Sequence, residues 1–146
     1  MCSLFGLIDF TECLSTHTKN KITEIPSPES VRLRGTDATG IAYNFNDRLR
    51  IYKRPIPARK MKIHIPNGVN TIMGHTRMTT QGNAQFNQNN HPFLGHVDGG
   101  TFALAHNGVL WNDKELRVME NLPQTSVETD SYVAVQLLEK KQNPRL

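Results

Sequence analysis

Cys2 directly follows the initiator methionine, so removal of Met1 would leave a thiol and a free α-amino group on the same residue. An unperturbed α-amine titrates at about 7.7–8.0, which leaves a useful fraction of it as free base at neutral pH. A nucleophile placed this way carries its own general base. A cysteine at position 2 also has a simpler reading, as a small residue near a frayed end. The apolar run right behind it favours a terminus pinned to a sheet. The stretch Gly74-His75-Thr76-Arg77-Met78-Thr79-Thr80-Gln81-Gly82 gathers one guanidinium and several hydroxyls between flanking glycines. Arg77 suits either a two-pronged grip on a carboxylate or phosphate, or a structural turn. The spacing is not that of a Walker phosphate loop. His106-Asn107-Gly108 offers a side-chain amide and a glycine N–H, the two donors an oxyanion hole needs, although Asn-Gly is equally a common turn dipeptide. Asp130 stands before an expected helix, where it can cap the helix or hold an ammonium group. His75, His91, His96 and His106 lie in one stretch but show neither HExxH spacing nor a CxxC partner, so no metal site is expected.

These residues need elements to position them. Leu4 to Phe10 reads as a buried strand. Thr11 to Arg32 is the least readable stretch, with Pro26 and Pro28 breaking any helix that begins near Lys19. Ile41, Tyr43 and Phe45 alternate with small or polar residues, Asn46-Asp47 supplies a turn, and Leu49 and Ile51 resume the alternation, which spells a β-hairpin. After the Asn67-Gly68 turn, Thr71-Ile72-Met73 leads as a strand into Gly74. Seven of the ten residues from Gln81 to Asn90 are Asn or Gln, which predicts a functional or disordered loop. Phe102 to Ala105 reads as a strand ending at His106. Asn112 with Glu115 has the form of a capping box for a helix whose apolar face is Leu116, Met119 and Leu122. A second helix is expected over 131–141, with Lys140 and Lys141 at its negative end. Strands first and helices last predict an α+β layered domain.

The 146 residues fit one domain, 1–146. Apolar residues make up 37%, too few and too scattered for a membrane span, and no export signal opens the chain. Cys2 and Cys13 are not a disulfide framework, and a reducing cytoplasm is the expected setting. Seven of the 17 basic residues lie between Arg48 and Lys62, with no acid among them. That run is expected to be a solvated strand edge kept from aggregating by its charges, rather than a nucleic-acid surface, because recognised nucleic-acid motifs and serial aromatics are missing.

Taken together and in order, these islands resemble the class II glutamine amidotransferase domain, an N-terminal-nucleophile hydrolase. The matching residues are Cys2 with Phe5-Gly6; Arg34-Gly35-Thr36-Asp37-Ala38-Thr39-Gly40; Gly74-His75-Thr76-Arg77 with Thr80 and Gly82; Asn90-His91-Pro92; His106-Asn107-Gly108; and Glu128-Thr129-Asp130-Ser131. Ser3, Met78 and Gln81 depart from the family's usual glycine, aromatic and histidine. The resemblance implies a four-layer αββα sandwich, here expected to be truncated at its C-terminus. It also implies that Cys2 attacks the side-chain amide of glutamine through a γ-glutamyl thioester, with Asn107 and Gly108 as the oxyanion hole. Arg77, Thr80 and Asp130 would bind the substrate. Arg34 and Asp37 would brace the turn beside the nucleophile, and His91 would support the loop. No cofactor is implied. The implied partner is a synthase domain or chain that accepts ammonia, and homo-oligomers remain open.

Overall fold

The computed structural model describes residues 2–24 and 35–142. Met1, Arg34, Pro26 and Pro28 lie outside the described residues. Among the described residues, six strands and three helices form an α+β domain with two antiparallel sheets.

The larger sheet has the order β1-β4-β2-β3, with β1 at Ser3–Ile8, β2 at Ala38–Phe45, β3 at Arg48–Arg54 and β4 at Thr71–Arg77. The expected hairpin is β2–β3. Asn46 and Asp47 turn it with φ of 50° and 55°, both in the left-handed region that a tight two-residue turn requires. Period-two alternation decides which side chains meet. Leu7, Ile72 and Tyr43 form one cross-strand row, and Phe5, Gly74 and Ile41 form the next. The segment 56–69 covers this face. Its Met61, Ile65 and Val69 make a buried core with Ile41 and Ile72. α1 (Thr16–Glu24) anchors that segment, with Asn20 accepting from the Ile65 N–H at 2.7 Å. A buried ion pair between Lys19 and Asp9, at 2.9 Å, ties α1 to the end of β1.

The opposite face carries the row His75, Gly40, Lys53 and meets the second sheet. That sheet pairs β5 (Phe93–Val97) with β6 (Gly100–Leu104). A Cβ at Gly40 would run into the His91 carbonyl and Pro92, so only glycine lets the chain before β5 lie directly on β2. An aromatic line then crosses the molecule. His75 and His91 rings lie 4.3 Å apart, His91 and Phe93 also 4.3 Å, and Phe93 meets Tyr132 edge-on at 5.4 Å. Tyr132 opens α3 (Tyr132–Gln142), whose Val133 and Val135 are fully buried. The layers therefore run from α1 and 56–69, through the four-stranded sheet and the β5–β6 pair, to α3.

Four expectations change. The Gln81–Asn90 stretch is structured: Asn87–Asn89 make a 3-10 turn, and Asn89 and Asn90 are completely buried. β5 went unread because Gly95 and His96 interrupt its alternation. α2 (Asp113–Met119) forms, but Asn112 makes no capping bond, with φ −103° and ψ 23° outside the extended geometry a cap needs. Met119 is 78% exposed, so the expected apolar face of α2 is only partly used.

Candidate active site

Pairing of β1 with β4 places Ser3 opposite Thr76, and so brings Cys2 to the end of β4 beside Arg77 and Met78. The Cys2 Sγ accepts from the Met78 N–H at 3.3 Å and lies 3.4 Å from the Met78 carbonyl. The thiol is half-buried.

Arg77 is the centre of the site and almost wholly buried. Its Nη1 donates to Asn90 Oδ1 at 2.7 Å. Its Nη2 serves the Gln81 and Gly82 carbonyls and Thr129 Oγ1. Burial pulls its pKa down from the ordinary arginine value, opposed by Cys2, Asp37, Asp130 and Glu128. The loop after β4 is thus wound around the guanidinium. Gly82, at φ +73°, makes the left-handed turn that aims its carbonyl inward.

Asp37 braces the same loop from the start of β2. It accepts from the Thr79 N–H at 2.7 Å, while its own N–H donates to the Arg77 carbonyl at 3.0 Å. Burial raises its pKa, but the bonds from Thr79 and Thr36 and the charge of Arg77 outweigh that and hold the carboxyl below its usual value. Thr80 is exposed on the loop. A cleft of about 720 Å³ opens beside it, lined by Asp37, Pro55, Pro57, Thr79 and Gly82 among others. Cys2, Asn107 and Asp130 are not in its lining.

Asp130 is buried just before α3, and its Oδ2 accepts from the Leu110 N–H at 2.6 Å. That bond ties the anion to the His106–Leu110 turn, where Asn107 and Gly108 are exposed. His106 Nδ1 lies 3.0 Å from Ser131 Oγ, and a Cβ at Gly108 would sit 2.6 Å from His106 Nε2. Trp111, the single tryptophan, follows this turn and is 91% exposed.

His75 and His91 lie beneath the site, between the sheets. Burial pushes His75 down to about 4 and His91 to about 2, with Arg77 adding to both shifts. None of their ring nitrogens has a well-formed hydrogen bond. The His106 backbone opposes the His75 shift without satisfying the ring. Lys53 belongs in sequence to the basic run expected at the exposed edge, yet it points inward. Its Nζ donates to the Asn90 carbonyl at 2.6 Å and sits 5.1 Å from the centre of the Phe93 ring. Burial, and then Arg77, bring its pKa to about 8. Arg48, Arg50 and Arg54 do line the outer strand as an exposed edge.

Sequence reasoning missed Asn89 and Asn90, which hold the site together. Asn90 Nδ2 donates to the Ala84 carbonyl at 2.7 Å. Asn89 donates to Glu128 Oε2 at 2.8 Å and accepts from the Glu128 N–H at 2.8 Å, while Thr129 Oγ1 donates to the Asn89 carbonyl at 2.7 Å. The only signal was the Asn-His-Pro match, which drew attention to His91. Among the described residues no helix is long and apolar enough to cross a membrane.

No protein-family model matches the sequence. The chain is 32% identical over 143 residues to the glutamine–fructose-6-phosphate aminotransferase (isomerizing) of Staphylococcus epidermidis, covering 95% of this chain and 22% of that protein. It is likewise 32% identical over 151 residues to the enzyme of the same name from Staphylococcus aureus, covering 100% of this chain and 23% of that one. The chain thus spans less than a quarter of the length of these curated relatives. At this identity along its whole length, the chain is homologous to these aminotransferases, whose N-terminal glutaminase domain is a class II glutamine amidotransferase.

Proposed function

We propose that the chain carries out the glutaminase half-reaction of a class II glutamine amidotransferase. The observation that carries this reading is the β1–β4 pairing, which sets the Cys2 thiol against the Met78 backbone at the end of the strand bearing Arg77. With Met1 removed, the α-amine of Cys2 takes the thiol proton and the sulfur adds to the side-chain amide carbon of glutamine. Asn107 and the Gly108 N–H receive the oxyanion. Collapse breaks the C–N bond, and ammonia leaves with the proton the amine held. Water then cleaves the γ-glutamyl thioester under the same base and releases glutamate. A zwitterionic substrate needs one fixed charge of each sign. Arg77 takes its α-carboxylate and Asp130 its α-ammonium group, with Thr80 on the covering loop. In this reading the layers are those of the αββα sandwich of N-terminal-nucleophile hydrolases. Ammonia passes to an acceptor held by another domain or partner chain, and the relatives' name points to a sugar phosphate. Intact mass after incubation with an electrophilic glutamine analogue tests the reading. Loss of Met1 and one adduct that disappears in Cys2→Ala is the expected result; a retained Met1, or no adduct at saturating analogue, excludes it.

A further inference from the structure

The buried Asn89–Asn90 pair touches both poles of the site, and the proposed function gives neither residue a role. Asn90 faces the cation. Its Oδ1 takes the Arg77 Nη1 proton at 2.7 Å, its Nδ2 holds the Ala84 carbonyl at 2.7 Å, and its own carbonyl is fixed by Lys53 at 2.6 Å. Asn89 faces the anion's segment. Its amide bonds Glu128 through both backbone and carboxylate, its carbonyl holds Thr129, and Asp130 comes next in the chain. Both residues are completely buried, in a medium where each such bond is strong and its loss leaves an unsatisfied group. Two successive residues of one 3-10 turn and its cap therefore fix the position of Arg77 and of the strand of chain carrying Asp130.

We propose that Asn89 and Asn90 are positioning residues that set the separation between the two charges reading the α-carbon of the substrate. Selectivity for an α-amino acid then resides in a turn that does not touch it. This rests on Arg77 and Asp130 being those two charges. The Asn90 end governs the carboxylate subsite and the Asn89 end the ammonium subsite.

Calorimetric binding to the Cys2→Ala chain tests this without turnover, with three probes: L-glutamine, its α-methyl ester, which lacks the carboxylate charge, and glutaramic acid, which lacks the amine. Losing one bond to a charged group predicts that Asn90→Leu weakens glutamine about 10- to 100-fold and the ester less than about 3-fold. Asn89→Leu should weaken glutamine by a similar factor and glutaramic acid much less. Asn90→Asp keeps the shape of the residue and places a competing charge on Arg77, so it should reproduce the selective loss even where the leucine variant folds poorly. Equal loss for all three probes in every variant means a merely structural role and overturns the proposal. A parent chain that does not prefer glutamine to either analogue overturns instead the assignment of Arg77 and Asp130. Preserved preference with no crosswise shift in the variants overturns the positioning role alone.

Discussion

Asn107 is exposed, and no hydrogen bond ties its amide to the described residues, whereas Asn90 is sealed from solvent and bonded at both ends of its amide. The same residue type therefore stands once as a free donor and once as scaffold. Under the proposed function, Asn107→Ala should lower kcat roughly 10²–10³-fold, the usual cost of an oxyanion donor. Its effect on KM should be small, and its thermal stability should stay within about 0.5 kcal/mol of the parent, as for other exposed substitutions. Steady-state glutaminase kinetics with a melting curve checks this, and a KM that rises as much as kcat falls contradicts it. Residue type and order singled out Cys2, Arg77, Asn107 and Asp130 as candidates. Burial was not legible. Nothing in an Asn/Gln-rich string announces that two of its members are interior, because hydrophobic periodicity does not see bonds from side-chain amides to backbone carbonyls. Arg77 reads equally as a two-pronged grip or as a structural turn, and the structure finds Nη1 and Nη2 engaged with Asn90, Thr129 and the loop.

At the scale of elements, the two sheets touch through Gly40. Its missing side chain leaves room for the His91 carbonyl and Pro92, so Gly40→Ala must push β2 and the chain before β5 apart. Overpacking of this kind costs roughly 1–3 kcal/mol. Backbone is the obstacle here and yields little, so the upper end is expected. A urea midpoint unchanged from the parent would show that the sheets slide apart freely. The hairpin β2–β3 and the strand into Gly74 were readable from alternation and turn residues, since those signals are local. β5 was not, because Phe93 owes its strand to partners across the sheet and beneath α3 rather than to its neighbours in sequence. Asn112 shows the converse: a locally convincing capping box is not formed, and Asp113 begins the helix without it.

The whole molecule buries two neutral imidazoles, and that sets its response to acid. In the unfolded chain His75 and His91 take protons near pH 6.5, but in the folded chain burial holds them at about 4 and about 2. The unfolded state thus binds more protons below pH 6.5, and stability falls as pH drops. The slope approaches about 2.7 kcal/mol per pH unit while both refuse protons, and eases once His75 titrates in the folded state near 4. Asp9, held below its usual value first by Lys19, and Asp37 lose their contributions only below about pH 4, a separate window. Urea midpoints should be highest near pH 7 and above and fall steadily from 6.5 to 4. His91→Leu should roughly halve the slope, and an unchanged slope would place the acid response elsewhere.

Trp111 lies at 91% exposure, next to the turn that carries Asn107 and Gly108. Its indole already meets water in the native state, so its emission begins at the red end and has little further to move when the chain unfolds. The intrinsic fluorescence of this protein is therefore a poor thermometer of folding. It is instead a lamp over the His106–Leu110 turn, which shifts blue when a ligand, a closing loop or a partner surface dries that corner of the molecule.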